Sequence, residues 1–363
     1  PNKSGRECSS GPTTPRTKGI CQRDALHAGG RRMARLMRPV PWRAAAWVAV
    51  LAILAMVPLW VTDFQLFRLT NLLIYAVALL GMNILVGYNG QISLGHGAFY
   101  AIGAYTAALL IVHAGLPHWA VVPLAGAVCL VVGFLFSLPV LRLSTMHLAM
   151  ATFAVGVVLP SVARWKWLEP WTGGSQGLGI DTPDVPLGLP LDFGHWLALL
   201  ALATLVLCFI LAANLLNGRI GRAAIAIRDH PIAAQSMGVD TVVYKAAIFG
   251  ISAMLVGMAG ALAALSIRYV APGMFGVFLS FGFLIGIAVG GLATLSGALY
   301  GALVLQSIFL VVGVTAQSLQ TSRTPLLYGV ALIVFLSVFP NGIAGLVQRG
   351  RRHLRQRLAR SGR

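Results

Sequence analysis

Side chains that could do chemistry are confined to three short stretches of an otherwise apolar chain, at residues 87–106, 172–180 and 217–245. No recognisable catalytic constellation of nucleophile and base appears in them, and none has the Cys and His spacing of a metal site. The chain also lacks the phosphate-binding loop GxxxxGKS or GxxxxGKT. These stretches therefore indicate binding, gating or docking, and any ATP used with this chain must be bound by another chain.

The stretch 87–106, GYNGQISLGHGAFYAIGAYT, crowds polar side chains among glycines between two apolar runs. Glycine lets the backbone bend, and polar side chains can bond the backbone groups that a bend exposes. We predict a broken helix or a re-entrant turn. It either lines or gates a pathway, or it is a cytoplasmic turn with close glycine packing. The residues concerned are Asn89, Gln91, Ser93 and His96, of which His96 is expected to be hydrogen-bonded rather than a metal ligand.

The stretch 172–180, TGGSQGLGI, offers hydroxyl groups and backbone donors without a charged side chain. It can contact a soluble partner or line an outer mouth, through Thr172, Gly173, Gly174 and Ser175. It is a weak phosphate cradle, because no lysine follows it.

The segment 217–245 is the longest polar interruption in the C-terminal half of the chain. Pro231 suits the first turn of a helix, and Asp229 or His230 can cap that helix. Gly238 can end it in a left-handed conformation. The pattern predicts a short helix over 231–237 with small and apolar residues on one face. Such a helix can dock in a groove of another protein; the alternative is a solvated basic loop that only sets topology.

The composition indicates a polytopic membrane protein as the scaffold for these stretches. Of the 363 residues, 58% are hydrophobic and 10% are charged, whereas a soluble domain averages about 25% charged residues. Since about 20 apolar residues cross a bilayer, we predict an all-α transmembrane bundle of about ten spans, with at least one broken or re-entrant helix. The predicted spans are 44–62, 69–88, 95–113, 119–139, 146–163, 195–215, 246–267, 277–295, 298–315 and 325–341, where 277–315 could also form one broken span.

The charges sort onto one side of this predicted bundle. The net charge of +18 by itself would suggest nucleic acid binding. Ten spans, however, place 22 of the 27 Lys and Arg residues on the side that holds both termini and the segment 217–245. The positive-inside rule makes that side cytoplasmic. No charged residue lies within a predicted core span, which argues against an ion-coupled carrier.

We divide the chain into a disordered basic tail at 1–40, a transmembrane domain at 41–345 and a basic cytoplasmic tail at 346–363. Residues 1–32 are expected to be an upstream extension, because Met33 opens a stretch of basic residues followed by an apolar helix. The C-terminal tail is expected to lie against anionic lipid.

Four blocks of the sequence resemble the LivM-type permeases of branched-chain amino acid ABC importers, over roughly residues 65–345. The blocks are residues 87–110, 141–154, 172–180 and 221–245. The block at 172–180 points to the LivM-like rather than the LivH-like half of the permease pair. The resemblance implies a transport subunit of the bacterial inner membrane, without enzymatic activity and with both termini cytoplasmic.

The resemblance also implies partners. They are a second permease of LivH type, two cytoplasmic ATPases that hold ATP and Mg²⁺, and a soluble substrate-binding protein; this chain itself is expected to hold no cofactor. By this resemblance the segment 217–245 is the coupling loop that contacts an ATPase. The residues expected to make that contact are Gly221, Arg222, Arg228, Asp229, Pro231, Ile232, Ala233, Ala234 and Gly238. Branched-chain amino acids are the expected cargo. Urea, short amides or aromatic acids are alternative cargoes, and a passive channel or stand-alone carrier is an alternative of another class.

Overall fold

The computed structural model describes residues 62–140, 145–181 and 192–318, with short pieces at 329–330, 337 and 342–345. The predicted tails 1–40 and 346–363, and nearly all of the predicted spans 44–62 and 325–341, lie outside the described residues.

The described chain folds as a bundle of apolar α-helices, which confirms the predicted fold class. The helices are α1 (Asp63–Asn83), α2 (His96–Val112), α3 (His118–Val140), α4 (Thr145–Ala163), α5 (Glu169–Thr172), α6 (Phe193–Asn217), α7 (Arg219–Asp229), α8 (Pro231–Ser236), α9 (Thr241–Ile267), α10 (Val277–Gly290) and α11 (Leu295–Ser318). A π-helical turn at Ile84–Tyr88 continues α1, and a 3-10 turn at Pro272–Phe275 precedes α10. Strands β1 (Leu178–Gly179) and β2 (Tyr269–Val270) pair antiparallel, with Leu178 opposite Val270.

Within the described ranges, five helices are long and apolar enough to cross a membrane. They are Asp63–Tyr88, His118–Val140, Phe193–Asn217, Thr241–Ile267 and Leu295–Val312, and shorter apolar helices lie at His96–Val112, His147–Ala163 and Val277–Gly290. Together these helices account for every predicted span between 69 and 315. The region 277–315 forms two helices, because the chain turns at 291–294.

Helix α9 is the most deeply buried of the long helices and packs against α1, α2 and α3. Glycines allow this close packing: a Cβ at Gly103 of α2 would lie only 2.1 Å from the carbonyl oxygen of Gly257 in α9. At about 1.5 Å per residue, the 27 residues of α9 measure about 40 Å. Helices α7 and α8 precede the first residue of α9, and we call this end of the bundle the α8 end. Strand β2 follows the last turn of α9, and we call the opposite end the β-pair end.

Candidate functional site

The first helix break lies in the polar stretch that the sequence singled out. The π-helical turn ends at Tyr88, the backbone is non-helical through 90–95, and a new helix starts at His96. Gly90 has a φ of +71°, a conformation that glycine adopts without steric cost. Since His96 contacts Ser252 in the middle of α9, the break carries the chain from near the α8 end to the middle of the bundle.

His96 is fully buried, and both of its ring nitrogens have partners. Nδ1 lies 2.8 Å from the Ser93 hydroxyl oxygen and Nε2 lies 2.9 Å from that of Ser252. The Ser252 hydroxyl donates its own proton to the carbonyl oxygen of Gly81 at 2.7 Å. Nε2 must therefore be the protonated nitrogen, with Nδ1 accepting from Ser93. His96 thus ties α2 to α9 and, through Ser252, to α1.

Unlike Ser93 and His96, Asn89 and Gln91 make no hydrogen bonds with their side-chain amides. Both side chains are 3% exposed, yet none of their four amide nitrogen and oxygen atoms has a hydrogen-bond partner. Burying such a group unpaired costs about 1–3 kcal/mol, so in native proteins it calls for a specific explanation. Of the four predicted pathway residues, these two are therefore the ones able to bind water or a passing solute.

A second helix break, at 291–294 between α10 and α11, packs against the residues that directly precede the first. The side chain of Asn83 bridges to it: Nδ2 donates to the carbonyl oxygen of Thr294 at 2.7 Å, and Oδ1 accepts from the N–H of Ala293 at 3.0 Å. Gly87 lies so close that a Cβ there would be 2.5 Å from the nitrogen of Ala293. The second break is therefore packed against the helical segment that leads into the first break.

The segment 217–245 forms two helices where one was predicted. The predicted helix over 231–237 is α8, and Gly238 follows it with a φ of +81°, as expected for a glycine stop. His230 occupies the N-cap position, but its side chain makes no capping bond. The preceding helix, α7, was not predicted.

Helix α8 presents an exposed apolar surface. Ile232 is 79% exposed and Met237 is 85% exposed, whereas Ala234 is buried against the rest of the chain. Large apolar side chains this exposed can mark a protein contact. Of the other residues predicted for the coupling loop, Gly221 is buried at the turn from α6 to α7, and Arg222, Arg228, Asp229, Pro231, Ala233 and Gly238 are exposed.

Arg228 connects α7 to the first helix break. Its Nη1 donates to the carbonyl oxygen of Gly87 at 2.7 Å, and its Nη2 lies 3.0 Å from the carboxylate of Asp229. The aliphatic part of the side chain covers Gly90, where a Cβ would lie 2.8 Å from the Arg228 Cγ. Arg222, on the same helix, bonds only to the nearby carbonyl oxygen of Asn217 at 2.8 Å.

The stretch 172–180 lies at the β-pair end, on the far side of the bundle from α8. Thr172 is buried, and its hydroxyl donates to the carbonyl oxygen of Ala163 at 2.7 Å. Gly173 and Gly174 have φ values of +69° and +55°. These three residues therefore build the shape of the loop, whereas Ser175 is exposed.

Sequence reasoning missed Asn83 and its bridge to the second break. One signal was present, because Asn83 is an amide inside a predicted apolar span, and buried polar side chains in such spans usually bond to another helix. Its partners, Ala293 and Thr294, carry no comparable signal.

Comparisons with known proteins identify relatives of this chain. Residues 65–338 match the family described as branched-chain amino acid transport system, permease component. The high-affinity branched-chain amino acid transport system permease protein LivM of Salmonella typhimurium strain LT2 is 32% identical over 320 residues, covering 82% of this chain and 73% of that protein. LivM of Escherichia coli K12 matches with the same identity and coverage. No solved structure gives a significant match.

Proposed function

The chain belongs to the family of permease components of branched-chain amino acid transport systems, and we propose that it couples the motion of an ATPase to the import of branched-chain amino acids. The resemblance found in the four sequence blocks is thereby confirmed. The chain is a multi-pass transport subunit of the membrane, not an enzyme.

The observation that carries the coupling mechanism is the hydrogen bond from Arg228 to the carbonyl oxygen of Gly87. Helix α8 offers the exposed surface for an ATPase, and only His230 separates it from α7. Arg228 at the end of α7 holds the first break, and Asn83 and Gly87 hold the second break against it. A displacement of α8 would therefore reach both breaks through described contacts.

The unpaired amides of Asn89 and Gln91 support a gate at the first break. In the described conformation they are buried without partners, so an open conformation that gives them water or substrate lowers their desolvation cost. ATP binding on the partner subunits would then drive the permease pair between inward and outward access.

The assembly that we propose has a second permease of LivH type, two cytoplasmic ATPases that bind ATP and Mg²⁺, and a soluble substrate-binding protein. The predicted charge distribution supports a cytoplasmic α8 end with both termini on that side. The exposed Ser175 in the loop at the β-pair end supports a contact with the binding protein there. Family membership as a transport-system component already implies partner subunits.

Uptake by proteoliposomes that hold the four kinds of subunit tests this function. We expect ATP-dependent uptake of labelled leucine, blocked by unlabelled valine but not by urea or benzoate. ATP hydrolysis without leucine uptake would indicate an ATP-driven importer that carries another cargo. Leucine flux that is indifferent to ATP would contradict the coupling role and favour a passive pathway.

A further inference from the structure

A cavity of about 100 Å³ lies at the β-pair end, between α1, α2, the last turn of α9 and the chain that leads into α10. Its closed end is formed by Tyr100, Ala263, Ala264 and Phe275, all of them buried. Its rim is formed by Ile267, Tyr269 and Met274, which are 40–45% exposed. The cavity is therefore a pocket with one open side.

We propose that this pocket receives the aliphatic side chain of the transported amino acid, an inference that rests on the proposed function. The described lining is apolar apart from tyrosine hydroxyl groups and contains no charged side chain. Such a surface favours a hydrocarbon group, because water gains by leaving it. Urea and short amides lack a hydrocarbon group to place there, so only the tyrosine hydroxyl groups could bind them.

The size of the pocket matches a branched aliphatic group. A single water needs roughly 10–15 Å³, and an apolar cavity of about 150 Å³ takes up benzene; this pocket, at about 100 Å³, lies between them. The volume therefore matches side chains of three or four carbons, and we expect the rings of phenylalanine and tryptophan to enter less readily.

The rim is built on the loop 172–180, which gives that loop a role in substrate entry. The Tyr269 hydroxyl donates to the carbonyl oxygen of Gln176. Strand β1, which begins two residues after Gln176, pairs with β2, the strand that contains Tyr269. A Cβ at Gly177 would lie 2.6 Å from the carbonyl oxygen of Val270. A binding protein seated on this loop would release substrate at the open side of the pocket, where the charged ammonium and carboxylate groups can remain in water.

The closed end of the pocket leads to the first helix break. The Tyr100 ring packs 5.5 Å from the ring of Phe283 in α10 and 6.1 Å from that of Phe275. Tyr100 lies one turn after His96, the first residue of α2. A side chain in the pocket therefore contacts the helix that begins at the gate.

Protection of an introduced thiol tests the pocket in the complete complex. Met274→Cys and Ile267→Cys place a thiol at the rim, and Trp167→Cys places one on an exposed surface at the same end that does not line the pocket. Cys129 and Cys208 are buried, and Cys8 and Cys21 are replaced by serine. The rate of maleimide labelling is measured with and without amino acids.

Leucine at about ten times its Kd for the pocket should slow labelling of the rim thiols about tenfold, because mass action then leaves about a tenth of the pockets unoccupied. Valine should protect as leucine does, whereas tryptophan should not, and labelling of Trp167→Cys should not change. If leucine does not protect the rim thiols in a complex that still imports leucine with ATP, the assignment of the pocket to the substrate side chain is wrong. A complex without ATP-dependent leucine import would instead contradict the proposed function.

A selectivity measurement is independent of thiol chemistry. Leu279→Ala enlarges the pocket, and Leu303→Ala makes the same change on an exposed face of α11 outside it. One methylene in an apolar pocket changes discrimination by about 10- to 200-fold, so we expect the ratio of phenylalanine to leucine uptake to rise at least tenfold in Leu279→Ala only. An unchanged ratio in Leu279→Ala, with leucine import retained, would contradict the proposal.

Discussion

The guanidinium group of Arg228 donates a 2.7 Å hydrogen bond to the carbonyl oxygen of Gly87, which lies 141 positions earlier in the chain. This bond joins an exposed helix pair at one end of the bundle to the π-helical turn from which the first helix break leads to the middle of the bundle. It is a charge-assisted bond, which is roughly twice as strong as a neutral one. The Asp229 carboxylate, 3.0 Å from Nη2, helps to hold the guanidinium in place.

Replacing this arginine should uncouple ATP hydrolysis from transport. A hydrogen bond to a charged group contributes about 1.5–3 kcal/mol, so Arg228→Gln should lower ATP-driven leucine uptake by on the order of tenfold or more while hydrolysis continues. Arg219→Gln is the matched control, because Arg219 is an exposed arginine of the same helix that is not among the predicted ATPase contacts. Uptake and hydrolysis are measured in the same proteoliposomes. Equal losses in the two variants would contradict a special role for Arg228.

The exposed face of α8 gives a second prediction. Ile232→Asp and Ala233→Asp each put a charge on the surface proposed to contact the ATPase, while the fold of the permease should be unaffected because both side chains are exposed. We expect normal membrane insertion but loss of ATPase co-purification and of uptake. Ala234→Asp should instead destabilise the permease itself, because Ala234 is buried. Normal uptake in both exposed-face variants would refute the assigned contact.

The bridge between the two helix breaks gives a third prediction. Asn83→Ala leaves the N–H of Ala293 without its partner and removes one of two bonds to the carbonyl oxygen of Thr294, which also accepts from the N–H of Gly297 at 3.0 Å. A fully buried group left unpaired costs about 1–3 kcal/mol, so the loss at this part-buried bridge should lower the Tm of the purified permease. Asn71→Ala is the control on the same helix, since Asn71 bonds only to the carbonyl oxygen of Phe67 one turn away. A Tm that falls equally in both variants would argue against the bridge.

Local signals in the sequence predicted the elements of this site but not their contacts. Pro231 begins α8 because its fixed φ suits the first turn, and Gly238 ends it because glycine adopts a positive φ without steric cost. The break at 90–95 followed from glycines and polar residues between apolar runs. Helix α7 was missed because charged residues every few positions were interpreted as a loop.

The long-range contacts could not be predicted, because they depend on how the helices pack. Arg228 was assigned to the ATPase contact by resemblance, yet its side chain also reaches Gly87 inside the chain. The pairing of Asn83 with Ala293 joins residues 210 positions apart, and no local pattern indicates it. The pocket at the β-pair end likewise combines residues from helices far apart in sequence.

The buried amide of Gln91 gives the last prediction, in which stability and transport change in opposite directions. Gln91→Leu replaces an unpaired buried amide by an apolar group of similar size, so it removes a desolvation cost of about 1–3 kcal/mol and should raise the Tm of the permease. Ser93→Ala, in the same break, removes the partner of the His96 ring at 2.8 Å and should lower it.

Transport should fall in Gln91→Leu in spite of the higher Tm, because the gate loses a group that binds water or solute when it opens. Thermal unfolding of the purified permease and uptake by the reconstituted complex are measured on the same preparations. A lower Tm in Gln91→Leu would mean that the amide has a partner in the folded protein. Unchanged uptake with a raised Tm would place Gln91 outside the pathway, and the gate would then have to be sought at the second break.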